Sequence, residues 1–177
     1  MATTIENFFN QAVQKQFSRD FHFRVKQIVI EGASFSGEDD LIYARSAALP
    51  AREISNKNAN YAGQNFNVAG SSSYPNSEAY TIEFYVDEQM DLRRKLEGAS
   101  RAVFNNETTT GEYGMAGRDS YMILEVIDKE LATVETIKLI GVGIRNVGEI
   151  DYQIADGTGE IKNFPCTFAY HFYEDFS

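Results

Sequence analysis

A chain of 177 residues with three prolines and a single cysteine has the length to form one domain around a substantial core, which argues against a multidomain enzyme. Its 26 acidic against 16 basic side chains give a formal net charge of -10, which argues against a partner held by broad phosphate neutralisation, though not against nucleic acid moving past unbound. Residues 1–60 balance at seven acidic and seven basic, whereas 61–177 hold 19 and nine, so the acidity belongs to the body of the chain.

Thr3 and Glu6 have the spacing of a capping box, and Ile5, Phe8, Phe9, Ala12, Val13 and Phe17 follow on one helical stripe. Residues 1–16 are therefore expected to form a helix or arm whose apolar side needs a partner surface. The opening residues lack the basic and apolar runs of a signal peptide, and no later run approaches the ~20 apolar residues of a membrane span. The expectation is a soluble chain made without such targeting. Residues 21–30 suggest a strand in which Ile28 and Ile30 fall opposite Phe21, Phe23, Val25 and Val29, so one strand is expected to touch two surfaces. Residues 32–40, with Gly, Ser and clustered acids, suggest an exposed loop before the apolar stretch 41–49, and Pro50 favours an extended Leu49.

Residues 51–78 are rich in Asn, Ser and Gly and poor in helical period, giving a long loop or a hairpin ordered in context. A structureless run of that length is unusual inside a compact monomer, so assembly contacts are expected to organise part of it. Tyr80, Ile82, Phe84 and Val86 alternate with polar positions as in a half-buried strand, and Asp87 can cap the next helix. There Leu92, Leu96, Ala99 and Val103 recur at helical spacing, while Arg93, Arg94, Lys95 and Glu97 take the solvent-compatible positions. Residues 108–119 contain three glycines and separate this helix from strands expected at 121–127, 134–142, 149–154 and 164–172. In the last of these Phe164, Cys166, Phe168, Tyr170 and Phe172 share one face, and Pro165 marks an early or edge position. Strand and helix do not alternate regularly. The fold class is therefore mainly β, an antiparallel β-sandwich or barrel with a packed α-helix and an N-terminal helix or arm.

No catalytic, cofactor-binding or metal-binding residue is nominated, and the chain is expected not to be an enzyme. His22 and His171 lack partners at metal-ligand spacing, and Asp39-Asp40, Asp87-Glu88 and Asp128-Glu130 suit solvated loops or caps. The glycines between Gly111 and Gly117 lack the setting of a dinucleotide loop, and Gly141-Val142-Gly143 lacks the Lys-Ser/Thr of a phosphate loop. Arg93-Arg94-Lys95 sits among acids, as on a mixed-charge helical face. Cys166, within an aromatic run, suits a buried small hydrophobe.

At Ala47-Ala48-Leu49-Pro50, at Asn67-Val68-Ala69-Gly70 and at Gly143-Ile144-Arg145-Asn146-Val147-Gly148-Glu149, the sequence resembles tail tube proteins of contractile-tailed, T4-like bacteriophages, over roughly residues 17–175. The resemblance implies one tail-tube-like domain, with residues 1–16 as an assembly arm. Such a subunit forms hexameric rings with copies of itself, stacked into the inner tube of a virion tail that is assembled in the host cytoplasm. Sheath, tape measure, baseplate and tail-terminator proteins are the implied neighbours, and DNA would transit the lumen without specific binding. Residues 51–66 match an inter-ring loop, with Leu49 and Pro50 shaping its entrance and Asn67, Val68, Ala69 and Gly70 returning to a strand. Asn146, Val147, Gly148 and Glu149 match a turn near a subunit edge. Acidic side chains from 61–177 would line part of the lumen and repel phosphate. The long apolar N-terminus and the acidic 32–40 stretch depart from the family pattern. They keep open a baseplate-proximal tube initiator or a secretion-system tube. Outside the family, a carbohydrate-binding β-sandwich module and a small enzyme with a noncontiguous site are the alternatives.

Overall fold

The computed structural model describes residues 5, 9, 10, 18–30, 33–36, 43–111, 114–153 and 159–175. Thr3, Glu6 and the acidic pair Asp39-Asp40 lie outside the described residues. Eleven described strands and one long described helix follow in the order β1 (Phe23–Ile30), β2 (Ala33–Ser36), β3 (Ala44–Ser46), β4 (Glu53–Tyr61), β5 (Gln64–Ser73), β6 (Tyr80–Tyr85), α1 (Asp91–Val103), β7 (Tyr121–Ile127), β8 (Thr133–Ile140), β9 (Gly143–Val147), β10 (Asn163–Ala169) and β11 (Phe172–Asp175). All pairings among the described residues are antiparallel. One sheet has the order β11-β8-β7-β1-β2, a second β3-β6-β10-β9, and β4 pairs with β5 alone. The fold is mainly β with a packed helix, as the alternating patterns indicate.

The inner faces of the two larger sheets meet in one apolar cluster. Val25, Ile28, Met122, Leu124 and Leu139 from the first pack with Ile82, Phe84, Phe164, Cys166 and Phe168 from the second. Leu92 and Leu96 of α1 join it, placed there by their four-residue spacing. Met90, in left-handed backbone, stands at the N-cap position; Asp87, three residues before it, still satisfies the first helical donor, its Oδ2 accepting the Asp91 N–H at 2.8 Å. Val103, at the end of the same stripe, is exposed.

Four sequence expectations are corrected. In β1, Ile28 and Ile30 do not lie opposite Val25: a bulge between Val25 and Gln27 inserts one residue, so Val25, Ile28 and Ile30 all point into the core. Within 32–40, Ala33–Ser36 form strand β2 and bury Phe35, because pairing with β1 supplies the ladder that Gly and Ser composition concealed. No strand occupies 149–153, and Ile154 lies outside the described residues; the strand here is β9, at one edge of its sheet, which begins six residues earlier, just after Gly141 turns the backbone. The aromatic run 164–172 is broken at Tyr170 and His171, where the chain leaves one sheet and enters the other as β11.

Pro165 is early in its strand, as expected, but β10 is an interior strand. In extended backbone a residue's nitrogen and carbonyl point to the same side. The Pro165 carbonyl accepts the Gly148 N–H at 2.7 Å, just past the end of β9, so the missing donor faces a position beyond the β9 ladder. Two sheet crossings lie side by side at this corner. Gly141, at φ +70°, carries the chain from β8 to β9, and a Cβ there would lie 2.1 Å from His171 Cδ2. The His171 N–H in turn donates to the Ile140 carbonyl at 2.9 Å.

Candidate assembly surfaces

Among the described residues the hairpin β4–β5 stands as a sheet of its own, apart from the two larger sheets. Its strands run nine and ten residues, a projection of about 30 Å at roughly 3.4 Å per residue. The turn residues Ala62 and Gly63 both have positive φ, at 49° and 78°, the geometry that matches the twist of a two-residue hairpin. The ladder is complete within one chain. Tyr61 pairs with Gln64, Asn60 with Asn65, Ala59 with Phe66, Asn58 with Asn67, Lys57 with Val68 and Asn56 with Ala69. Because paired residues share a face and faces alternate, this register sorts the side chains. Tyr61, Ala59, Phe66 and Val68 lie on one side; Asn56, Asn58, Asn60, Asn65 and Asn67 lie on the other. Both sides are exposed, with Tyr61 at 78%, Phe66 at 50% and Val68 at 51%.

An isolated two-stranded hairpin is marginal in water, and this one is anchored at its root. Tyr74, just beyond β5, packs edge-on against Tyr170 and Tyr173, and Tyr170 packs edge-on against Tyr80. The Tyr80 hydroxyl donates to the Ala48 carbonyl at 2.5 Å, fixing the chain that enters β4. Burial, with the neighbouring Tyr170 adding to it, pushes the Tyr80 phenol well above its ordinary pKa, so this donor keeps its proton. Nearer the root, a register shift between Ile54 and Asn56 is pinned by Ser55, whose hydroxyl donates to the Ser71 carbonyl at 3.1 Å.

The residues nominated from sequence fall in two separate places. Leu49 is exposed and Pro50 half-buried at the hairpin entrance, while Asn67, Val68 and Ala69 lie exposed on β5 and Gly70 is half-buried opposite Ser55. Asn146 and Val147 end the edge strand β9, and Gly148 and Glu149 follow it. Val147 packs on the core, and Gly148 is buried, its carbonyl accepting from Arg93 Nη1 at 2.6 Å. These two residues serve the chain's own packing, while Asn146 and Glu149 are exposed. Arg93 also lies over the Phe164 ring and pairs with Glu97, so it turns inward rather than toward solvent. Tyr61 and Phe66 were not nominated. The period-two runs Asn58-Ala59-Asn60-Tyr61 and Asn65-Phe66-Asn67-Val68 carry the signal that finds them.

Beside the hairpin root a cleft is lined by Arg19, His22, Phe23, Ala48, Leu49 and Glu125. Glu125 is committed within it. Its carboxylate is 2% exposed and accepts from Arg24 Nε at 2.5 Å and Lys26 Nζ at 2.7 Å. Burial opposes its charge, yet the hydrogen bonds from Lys26 and Arg24 and their positive charges outweigh it and hold the carboxyl below its ordinary pKa. Among the described residues no group of three or more His, Cys, Asp or Glu side chains gathers as a metal site. No described helix is long and apolar enough to cross a membrane. Ile5 and Phe9, one helical turn apart at the N-terminus, are both exposed, at 89% and 66%.

No protein-family model matches the sequence, and no curated protein matches it. Solved structures do. A chain in the six-fold symmetrised cryo-EM structure of the anti-feeding prophage baseplate superposes with a TM-score of 0.64 at 11% identity, covering 92% of this chain and 97% of that one. A chain in the sheath/tube terminator of an extracellular contractile injection system, in its extended state, gives 0.62 at 8% identity over 92% and 99%. A chain of the tube-terminating cap of the anti-feeding prophage gives 0.59 at 10% identity over 92% and 93%. The protein thus has a fold found in tube, cap and baseplate structures of contractile injection systems, a tail-tube-type fold.

Proposed function

We propose that the chain is a structural, non-catalytic subunit of the inner tube of a contractile phage tail, assembling as hexameric rings that stack around a DNA-conducting lumen. The observation that carries this reading is a self-paired hairpin, exposed on both faces, standing on a fold of the contractile-injection type. A ring also gives the short edge strands β2, β3, β9 and β11 neighbours to pair with or cover. The six-fold symmetry named for the baseplate structure supports a ring of six. In this reading the hairpin, which holds residues 53–66 of the 51–66 stretch, bridges successive rings. Leu49 and Pro50 set its departure, Asn67 to Gly70 its return, and Asn146 to Glu149 border the β9 edge. The assembled subunit sits in the tail particle against sheath, terminator, tape measure and baseplate proteins. Net acidity of the body suits a conduit to which phosphates do not adhere.

A second reading is favoured by the neighbours' own descriptions, which include a sheath/tube terminator and a tube-terminating cap. An end subunit would close one ring and stop. Electron microscopy across protein concentration, with mass determination of soluble species, separates the two: open-ended tubes support the tube subunit and single rings the end subunit. Monomers alone, also in the presence of baseplate components, would refute both. A hairpin-less variant gives the sharper test. Glu53 and Ser73 are ladder partners, so a two-residue Asn-Gly turn can replace residues 54–72. Rings that form but no longer stack are expected; tubes as stable as those of the parent chain would contradict the hairpin's role.

A further inference from the structure

The two sides of the hairpin differ in chemistry, and that difference assigns its docking side. From Asn56 to the tip, one side presents five asparagines and Ala69, the other Tyr61, Ala59, Phe66 and Val68 with Lys57 and Gln64. We infer that the hairpin docks by its Tyr61/Phe66/Val68 side onto a second copy of this chain, leaving the asparagine side in water. The inference rests on the assembly reading above and specifies which surface that assembly buries.

Three observations favour a second copy as the occupant. The first is charge: among residues 54–73 the sole ionisable charge is Lys57, and its pairing with Val68 puts it on the apolar side. A lone cation within an apolar patch suits an acidic partner, and this chain carries a net charge of -10. The second is area. One side of the two strands over this stretch offers on the order of 200–300 Å², against about 800 Å² per partner for a stable pair. Such a patch cannot hold an isolated dimer. It contributes when every subunit both gives a hairpin and receives one, as in a heterologous array of identical chains. The third is the anchored root, where Tyr80, Tyr74 and Ala48 fix the direction of the hairpin before any partner arrives. A preordered arm loses little freedom on docking. The asparagine side can stay wet, since its uncharged amides are satisfied by water and Ala69 is the one apolar side chain among them.

Face-selective charge insertion in the full chain tests this. Phe66→Lys and Asn67→Lys place the same charge on adjacent, exposed positions on opposite sides, so neither disturbs the core. The expected result is that Phe66→Lys raises the protein concentration needed for assembly at least tenfold, while Asn67→Lys leaves it within about threefold, as read by sedimentation. Equal effects, or a stronger effect of Asn67→Lys, would overturn the side assignment while the assembly reading stands. Failure of the parent chain to assemble would overturn both.

A second readout does not depend on a disruptive substitution. Cys166 is buried, so Val68→Cys or Asn58→Cys, each exposed, can be labelled selectively with a polarity-sensitive dye. On assembly of the pure chain the dye at 68 should shift to an apolar signal and the dye at 58 should not. A shift at 68 seen only when a different protein is added would overturn the second copy as occupant.

Discussion

Glu125→Gln tests how the outer face of the five-stranded sheet holds a carboxylate that water cannot reach. Glu125 lies on β7 in register with Arg24 on β1, and the bulge after Val25 brings Lys26 to the same carboxylate. Hydrogen bonds to charged groups contribute about 1.5–3 kcal/mol each, and removing one member of a fully buried pair costs about 3–5 kcal/mol. Here the cations are 49% and 56% exposed, so water can receive them once the carboxylate is gone. The loss should therefore fall below the buried-pair range, at about 2–3 kcal/mol. For a domain of this size that lowers Tm by about 4–12 °C at pH 7. The folded-state pKa of Glu125 lies below its unfolded value of about 4.3. Its contribution is thus fully present above that value and is lost as pH falls through the folded pKa. Paired thermal melts of parent and Glu125→Gln from pH 7 to pH 3 should show a gap that closes below about pH 4. A gap that stays constant over the whole range, or no gap at pH 7, would refute the reasoning.

Other expected outcomes concern the corner, the helix and the thiol. Gly141→Ala meets a left-handed backbone cost of about 1–2 kcal/mol and a Cβ overlap with His171, so urea unfolding should show a loss above 2 kcal/mol. Adding His171→Ala should recover the overlap and leave the backbone cost. Arg93→Lys should lose about 1–2 kcal/mol in the same assay, because an ammonium cannot reproduce the planar contacts with Gly148, Glu97 and Phe164; parent-like stability would contradict that account. Burial pushes the Cys166 thiol up to about 12, against a weaker opposing pull from Arg93. A disulfide reagent at pH 8 should therefore react with the folded chain about three orders of magnitude more slowly than with the unfolded one, and comparable rates would place the thiol at the surface.

Period-two patterns made the core strands legible. Tyr80, Ile82 and Phe84 and the run Phe164, Cys166, Phe168 alternate cleanly because one side faces the core and the other does not. The helix was legible for the same reason at its own period. Features that depend on a neighbour were not. A bulge in β1 resets the parity of the pattern, and only pairing with β7 reveals it. Strand β2 rests on a partner ladder that its Gly- and Ser-rich surroundings do not announce. Arg93 looked like one of three surface cations until the fold brought Gly148 and Phe164 to it. The hairpin was half legible: Asn is depleted in strands and the Ala62-Gly63 turn lacks the Asn-Gly signature, so composition left a loop and a hairpin both open, and the period-two runs that decide between them were not read.

That ambiguity bears on how such an arm works. Ordering backbone costs roughly 1–2 kcal/mol per residue, so a loop of about 20 residues that folded only on docking would consume most of what a small patch can supply. A hairpin with its ladder already closed meets that cost during folding, where the core supplies the free energy. The tyrosines at its root tie the hairpin to that core, since Tyr170 and Tyr80 belong to the buried cluster and Tyr173 and Tyr74 pack against it. Assembly then has to immobilise mainly side chains. The remaining task is to choose a side, and alternating asparagine with apolar residues does so at the level of sequence, because a one-residue slip in register would exchange the two sides. The bulge near the root and the two-residue turn at the tip pin that register from both ends. A turn lengthened by one residue at Gly63 would shift the tip pairs and should weaken assembly as much as Phe66→Lys while leaving the core melt unchanged. If assembly tolerated that insertion, the sidedness of the hairpin would have no part in it.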